Sequence, residues 1–201
     1  MAKARVISLD ASAPTSANAR IIAKVRLEEM YNWHMYVDDP YRIRELHNLR
    51  IAAKRLRYTL ETFAEVLPEA CTPLLKEVTQ IQDELGILHD SDVVIALLRL
   101  CMGGQDSGSG YEQALVQATQ RSARLGKGVG GKGKFDLNPE LVAVLVDPRV
   151  APAAEARQGL EQFLDHLQQR RHEHYAAFRQ HWYQLLARDF YREVLAVLDA
   201  S

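Results

Sequence analysis

A row of basic side chains between residues 46 and 58 is the part of this sequence best suited to chemistry. The row is spaced three, four and three positions apart and consists of His47, Arg50, Lys54 and Arg57. Because each residue of an α-helix advances by about 100°, these four side chains would share one narrow stripe. Arginine and lysine make charge-assisted hydrogen bonds to phosphoryl oxygens. The spacing therefore predicts an anion site, and specifically a phosphate site, on one helix.

A second, apolar stripe runs beside the basic one and would attach it to a protein core. It consists of Leu46, Leu49, Ala53, Leu56 and Leu60, prolonged by Phe63 and Leu67. Cations at helical spacing repel one another by about 0.2–0.5 kcal/mol per pair. Residues 46–58 contain no acid that would offset this repulsion. One face of the helix is therefore expected to pack, while its neighbour presents positive charges that a bound anion would neutralise.

Helical periodicity extends over most of the chain, and no segment of strand length alternates apolar and polar residues. The sequence predicts an all-α protein, an antiparallel bundle of about six helices. The predicted helices cover about 15–36, 40–67, 73–100, 111–125, 152–184 and 185–199, with a short apolar piece at 139–146. Residues 1–14 are expected to form a flexible lead-in, and residues 15–201 one bundle domain with a Gly/Lys-rich loop at 126–134.

Local signals set the expected ends of these helices. Asp39 is a candidate N-cap with Pro40 in the first turn, and Pro68 would end the basic helix. The basic helix would then have about 28 residues and a length of about 42 Å. Gly86 is expected to interrupt the third helix, whose continuation Asp90 would cap.

The composition excludes several classes of protein. With 25 Lys and Arg against 26 Asp and Glu, the formal net charge is −1, so a polyanion site requires a local concentration of cations. The two cysteines are too few for a disulfide scaffold, and no apolar run approaches the length of a membrane span. The first residues lack the apolar core of a secretion signal. A cytoplasmic protein that does not enter a membrane is therefore expected.

Two motifs give the sequence a family resemblance. The first runs from Leu46 to Phe63 as Leu-His-x-x-Arg-x-x-x-Lys-Arg-Leu-Arg-Tyr-x-x-Glu-x-Phe. The second, within Leu74 to Val93, ends in Ile-Gln-x-x-Leu-Gly-x-x-His-Asp-x-Asp-Val. In this order and separation, the two motifs resemble the signature of the conserved histidine α-helical domain (CHAD) family. His89 stands where that family often has Asn, so the role of that amide is not carried over to this chain.

The resemblance implies a non-catalytic module that binds inorganic polyphosphate, or another polyanion, along a basic groove, without a cofactor or a metal. The implied binding residues are His47, Arg50, Lys54 and Arg57, with Arg55, Arg44 and Arg42 contributing at the rim. Arg55 ranks lower because it lies about 80° from His47 on the helical wheel. An association with polyphosphate granules in the cytoplasm is compatible with this interpretation, and the oligomeric state stays open.

A phosphate bound to His47 would raise the pKa of its imidazole, so binding is expected to tighten as the pH falls toward about 6. A second basic stripe occurs in the long C-terminal helix, although it does not match the signature residue by residue. It contains His166, Arg170, His174 and His181.

Other interpretations of the basic stripe remain open. The same cations would accept the backbone of a nucleic acid, although the basic helix offers few aromatic residues for stacking and no base-reading set. Alternatively, the chain is a helical adaptor without an anion ligand. In a related alternative, acids across the bundle neutralise the stripe, namely Asp83, Glu84, Asp90 and Asp92.

Two further features look like ligand sites and are rejected. Gly126 to Lys132 matches the first part of a phosphate loop, but Gly133 replaces the required Ser or Thr and no strand precedes it. The histidines of the C-terminal helix lack flanking carboxylates at ligand spacing, so no metal site is expected.

Overall fold

The computed structural model describes residues 3–102 and 154–200 of the chain. They form five α-helices and one short 3-10 helix, which are α1 (Thr15–Tyr31), the 3-10 helix (His34–Tyr36), α2 (Ile43–Thr62), α3 (Cys71–Cys101), α4 (Ala154–Ala187) and α5 (Phe190–Asp199). No strand occurs in these residues, which confirms the all-α class. The predicted helix at 111–125, the loop at 126–134 and the apolar piece at 139–146 lie outside the described residues, and the bundle of about six helices is not confirmed.

The chain divides into two compact units. The first consists of Met1–His89 and His172–Ser201, and the second of Asp90–Arg171. All seven residues of the sequence-predicted phosphate site belong to the first unit, because all of them lie on α2 or directly before it.

The ends of α2 do not lie at the predicted capping and terminating residues. The helix begins at Ile43 instead of Pro40, and Asp39 Oδ1 accepts a backbone N–H two residues further on at 2.9 Å. Asp39 therefore stabilises a turn that precedes the helix. The last helical residue is Thr62, so Pro68 lies beyond the end of the helix and does not terminate it. α2 has 20 residues and a length of about 30 Å.

The third helix is continuous through Gly86, so the prediction that this glycine interrupts it is wrong. A glycine inside a helix costs about 1 kcal/mol relative to alanine. Leu85 and Leu88 are buried on either side and hold the helix in place. Asp90 consequently lies inside α3 and is not an N-cap. The continuity of α3 means that the residues of the second motif on either side of Gly86 belong to the same helix.

The apolar stripe of α2 is buried, as its periodicity predicts. Its five central members are each at most 4% exposed, namely Leu46, Leu49, Ala53, Leu56 and Leu60. They belong to one core cluster with Trp182 and Phe178 of α4 and Phe190 of α5. Burial of a leucine side chain contributes about 1.5–3 kcal/mol. This face therefore anchors α2 firmly and fixes the direction in which the adjacent basic stripe points.

Residues 188 and 189 form the short connection between α4 and α5. Asp189 has a φ of 54°, in the left-handed region, which costs an L-residue about 1–2 kcal/mol and which Asp tolerates better than most. Beyond this connection, α5 buries Phe190, Val194 and Leu198 and packs against α1. The burial of that apolar face offsets the backbone strain at Asp189.

Candidate anion-binding site

The two sequence motifs lie on α2 and α3, which are neighbours along this surface. The neighbouring pairs are Arg57 with Gln82, Arg50 with Gly86, and His47 with His89. Residue numbers on α3 rise as those on α2 fall, so the two helices run antiparallel along this contact. The basic stripe of α2 therefore lies against the part of α3 that carries the second motif.

His47, Arg50 and His89 form a compact group, which we call the histidine–arginine cluster. The two imidazole centroids are 4.3 Å apart, with the ring planes inclined by 41°. Arg50 approaches α3 at Gly86, where an added Cβ would lie 3.7 Å from Arg50 Nε, an ordinary van der Waals contact. Nδ1 of each histidine and Nε of Arg50 are buried without a hydrogen-bond partner among the described residues. Buried polar atoms are normally satisfied, so three unpartnered ones in one group distinguish this cluster from the rest of the described surface.

Burial strongly affects the titration of both histidines. It lowers the pKa of His47 to about 4, and the neighbouring His89 and Arg50 act in the same direction. It also lowers the pKa of His89 to about 4, and Arg50 adds to this shift. Both rings are therefore neutral at pH 7 when no ligand is bound. The positive charge of the cluster at neutral pH resides on Arg50.

Lys54 of the stripe, and Arg44 one helical turn before the stripe begins, form no ion pair with any carboxylate of the described residues. Lys54 Nζ lies 5.4 Å from the ring centroid of Tyr58, and Arg57 Cζ lies 4.7 Å from the same centroid. Such cation–π contacts contribute about 0.5–1 kcal/mol at exposed sites. Tyr58 thus limits the positions of both cations without neutralising them.

The remaining predicted cations already have partners within the fold. Arg57 NH1 lies 2.9 Å from Glu61 Oε1, and Arg42 Nε lies 3.3 Å from Asp39 Oδ2. The second pair is more than half exposed on the arginine side, so it contributes little to stability. Arg55 is half-buried and also has an interaction partner. The predicted residues that lack an acidic partner among those described are Arg44, His47, Arg50 and Lys54.

Acidic residues of α3 pair with α4. His181 lies between two carboxylates, with Nδ1 2.9 Å from Glu84 Oε2 and Nε2 3.1 Å from Glu77 Oε2. The hydrogen bond to Glu84 raises the pKa of His181 against the effect of burial, and the bond to Glu77 adds to the rise. In the second unit, Arg171 Nε donates to Asp92 Oδ1. Glu84 and Asp92, which one sequence-based alternative assigned to the α2 stripe, are thus occupied by α4.

Several basic residues of α4 are neutralised in this way. Besides His181 and Arg171, Arg179 pairs with Asp38, with a distance of 2.6 Å from NH2 to Oδ1. Tyr183 donates its hydroxyl to the other oxygen of the same carboxylate at 2.7 Å. These α4 cations therefore have their counter-charges within the fold, whereas the central cations of α2 do not.

Two open grooves lie elsewhere on the first unit. One, of about 470 Å³, is lined mainly by acidic and apolar residues, among them Glu61 and Asp83. The other, of about 770 Å³, is lined by residues of α4 and by Asp38. Neither is lined by the uncompensated cations of α2, so the basic groove implied by the family resemblance is not confirmed.

The part of the chain that the structure describes offers neither a metal site nor a membrane span. No three of its His, Cys, Asp and Glu side chains are grouped closely enough to hold a metal ion. None of its helices combines the length and the apolar composition needed to cross a membrane.

Sequence reasoning missed two members of this surface, His89 and Tyr58. Both positions carried a usable signal. His89 follows Gly86 by three residues and therefore shares its helical face, and Tyr58 follows Lys54 by four. What the sequence did not show was which face of α3 would meet α2.

Comparisons with known proteins agree with the two motifs. Residues 10–99 match the family model of the CHAD domain, a little under half of the chain. No curated protein and no solved structure matches the chain significantly. The matched segment includes α1, α2 and nearly all of α3, and thus every residue of the histidine–arginine cluster. The resemblance to the CHAD family that the two motifs predict is thus confirmed by a match over residues 10–99.

Proposed function

We propose that this chain is a non-catalytic module that binds inorganic polyphosphate on the uncompensated stripe of α2. This stripe consists of Arg44, His47, Arg50 and Lys54. The presence of a CHAD domain supports the proposal, because the family is associated with polyphosphate binding in general. From Arg44 to Lys54 the helix rises by about 15 Å, enough to meet several linked phosphates.

The observation that carries this proposal is the environment of Arg50. Its Nε is buried without a hydrogen-bond partner, and no carboxylate of the described residues forms an ion pair with its guanidinium. Burial of a charged group without a counter-charge is unfavourable. Hydrogen bonds from the remaining N–H groups of this half-buried side chain to phosphate oxygens contribute about 1.5–3 kcal/mol each and would supply the missing counter-charge. A phosphate beside Arg50 would therefore bind more tightly than one beside a fully exposed cation.

The packing of α2 also favours binding. The buried apolar stripe holds the helix in place before any ligand arrives, and the Tyr58 ring limits the motion of Lys54. Association normally carries a penalty for ordering side chains, about 0.5–1.5 kcal/mol for each immobilised one. A site whose cations are already positioned avoids part of that penalty.

Equilibrium binding of long-chain polyphosphate over a range of salt concentrations tests the proposal. The double variant Arg50→Gln/Lys54→Gln should bind at least about tenfold more weakly, because it loses two charge-assisted contacts. Its plot of log K against log salt should be shallower by about two units, since fewer counterions are released. The matched control is Lys76→Gln/Arg192→Gln, which changes the net charge equally at two exposed positions of other helices. This control should stay within about twofold of the wild type.

Three results would contradict the proposal. Unchanged affinity in the Arg50/Lys54 variant would favour a helical adaptor without an anion ligand. Displacement of polyphosphate by single-stranded RNA at a lower concentration, with both polymers counted in phosphate groups, would favour a nucleic-acid module. Release of orthophosphate during incubation would show that the protein is an enzyme. Fluorescence microscopy of the tagged protein would test the accompanying proposal of a cytoplasmic protein associated with polyphosphate granules.

A further inference from the structure

We propose that His89 is a second ligand-contacting histidine of the same site, and that His47 and His89 together take up a single proton when phosphate oxygens bind. This inference rests on the proposed function, because it concerns the same anion. It adds a residue from α3 to a site otherwise built on α2. It also makes the affinity of the site depend on pH through a pair of side chains.

The geometry places the two rings where one anion would meet both. His47 and His89 come from antiparallel helices, and their ring centroids are 4.3 Å apart. Each ring has its Nδ1 enclosed and unpartnered, although both side chains as a whole are only half-buried. Arg50 Nε lies beside Gly86 and is similarly enclosed, and the charge of Arg50 acts on both rings. Since all three side chains are partly exposed, we assign their exposed atoms to contacts with oxygen atoms of a single ligand.

The charges around the rings explain why a ligand would change their protonation. Besides burial, the influences that lower the pKa of His47 are His89, Arg50 and the amino-terminal charge, and for His89 the influence is Arg50. None of these groups is a carboxylate. An anion at the cluster would supply the missing negative charge, and an opposite charge within about 4–6 Å favours the protonated form of an imidazole.

The pair is expected to take up one proton and not two. Two imidazolium ions about 4 Å apart would repel each other by about 4 kcal/mol at an effective dielectric constant near 20. Protonation of one ring therefore opposes protonation of the other, and the titration belongs to the pair. An asparagine at position 89 would keep a hydrogen-bond donor but could not accept a proton. The presence of His89 in this chain thus gives its anion site a response to acid.

Isothermal titration calorimetry with long-chain polyphosphate measures the proton uptake directly. Titrations at pH 7.5 and 5.5, each in two buffers with different ionisation enthalpies, give the number of protons bound per cluster. Long chains are used because terminal phosphate groups titrate near about pH 6, whereas they are few in a long chain. The wild type should take up between about 0.5 and 1 proton per cluster at pH 5.5 and bind up to about tenfold more tightly than at pH 7.5.

The decisive variants are His89→Asn and His47→Asn, with His172→Asn as the matched control on an exposed face of α4. Each variant of the pair should lose most of the proton uptake and of the affinity gained at pH 5.5, while the control behaves as the wild type. All variants retain the amino-terminal group, so its titration cancels in the comparison. Histidine C2–H chemical shifts, followed by NMR with and without polyphosphate, provide a second measurement on the unmodified protein.

The outcomes separate this inference from the proposed function. Polyphosphate binding with unchanged proton uptake in His89→Asn, or NMR titrations of both rings that polyphosphate leaves unchanged, would overturn the role of the pair and leave the site intact. Absence of wild-type binding at both pH values would overturn the proposed function itself. Two results together would establish the inference. Both pair variants would lose the pH dependence of polyphosphate affinity, and polyphosphate would raise the pKa of one imidazole in the NMR titration of the unmodified protein.

Discussion

The imidazole rings of His47 and His89 lie 4.3 Å apart, although one belongs to the first motif and the other to the second. The antiparallel contact of α2 with α3 brings them together. The two motifs therefore contribute residues to one cluster from two different helices, and neither motif contains the complete site. This relationship leads to predictions about binding and about stability.

Gly86 should tolerate alanine but not a large side chain. An added Cβ would make only an ordinary contact with Arg50 Nε, at 3.7 Å, and alanine is favoured over glycine in a helix by about 0.8–1 kcal/mol. We expect Gly86→Ala to stabilise the protein by up to about 1 kcal/mol with little effect on polyphosphate affinity. Gly86→Leu would occupy the space beside Arg50 and weaken binding by about tenfold. Urea unfolding and equilibrium binding give the two quantities.

The matched control is Gly159→Ala in α4, where an added Cβ meets no atom within 4 Å. It should raise stability by a similar amount and leave binding unchanged. Equal polyphosphate affinity in Gly86→Leu and the wild type would show that the position of Arg50 beside α3 does not matter for the ligand.

Substitution of an α2 cation should weaken polyphosphate binding more when that cation has no carboxylate partner in the fold. Arg44 has no carboxylate partner among the described residues, whereas Arg57 NH1 is paired with Glu61 at 2.9 Å. Arg44→Gln is therefore expected to weaken polyphosphate binding by about three- to tenfold. Arg57→Gln should weaken it by less than about threefold, because its guanidinium already has a counter-charge. Affinities from the same titration series, at fixed salt, provide the comparison.

A larger loss of affinity in Arg57→Gln than in Arg44→Gln would contradict this order. Such a result would mean that the ligand displaces Glu61 from Arg57. The variant Glu61→Gln resolves that case, since it should then increase affinity by freeing the arginine.

His181 should stabilise the fold most at acidic pH. Its pKa is raised in the folded protein, chiefly by the hydrogen bond to Glu84. A raised pKa means that the stabilisation is fully present below the unfolded value of about 6.5 and is lost as the pH rises through the folded value. We expect His181→Gln to lower the free energy of unfolding by about 1 kcal/mol at pH 6, after allowing for solvent screening. The difference in the free energy of unfolding should narrow as the pH rises through the raised pKa of His181.

Urea titrations at several pH values measure this effect, with His172→Gln as a control because His172 is exposed on the same helix. A destabilisation by His181→Gln that is constant from pH 6 to pH 9 would show that the ring acts through packing and not through its charge.

Replacing only one partner of the ion pair between Asp92 and Arg171 should lower the free energy of unfolding strongly. Both side chains are largely buried, at 6% and 12% exposure, and burial raises the pKa of Asp92 even though Arg171 opposes the shift. Arg171→Met would leave the carboxylate without its cation, with an expected loss of about 3 kcal/mol. The double variant Arg171→Met/Asp92→Leu should recover most of that loss. Thermal and urea unfolding of the two variants gives the difference, and a double variant no more stable than the single one would contradict it.

The faces of α2 were predictable because they depend on local periodicity. The 100° rotation per residue is sufficient by itself to separate Leu49 and Leu56 from Arg50 and Lys54. The buried stripe confirms that separation. The same reasoning correctly predicted an all-α fold from the absence of alternating segments.

The interruption at Gly86 was wrongly predicted because propensity is a weak guide when neighbours are buried. Leu85 and Leu88 together bury enough apolar surface to outweigh the cost of one glycine in the helix. The start of α2 was misplaced for a similar reason. The side chain of Asp39 can satisfy a turn as easily as a helix terminus, and only the folded backbone decides between them.

Ion pairing was beyond sequence reasoning because it depends on the facing surfaces of separate helices. On charge alone, Glu84 could have paired with the cations of α2 as readily as with His181. The rotation of α3 directs Glu84 toward His181 and presents Gly86 and His89 to α2. A rotation of this kind is set by packing of the whole core and not by the composition of one segment.

The left-handed backbone at Asp189 also bears on how this chain can be compared with its relatives. Few residue types accept such a conformation, so chains that preserve the bend between α4 and α5 are expected to have Gly, Asn or Asp at the equivalent position. The family match ends at residue 99, well before this bend. A single restricted position could therefore serve as a reference point for aligning the C-terminal helices of distant sequences, where charge and hydrophobicity alone allow several registers.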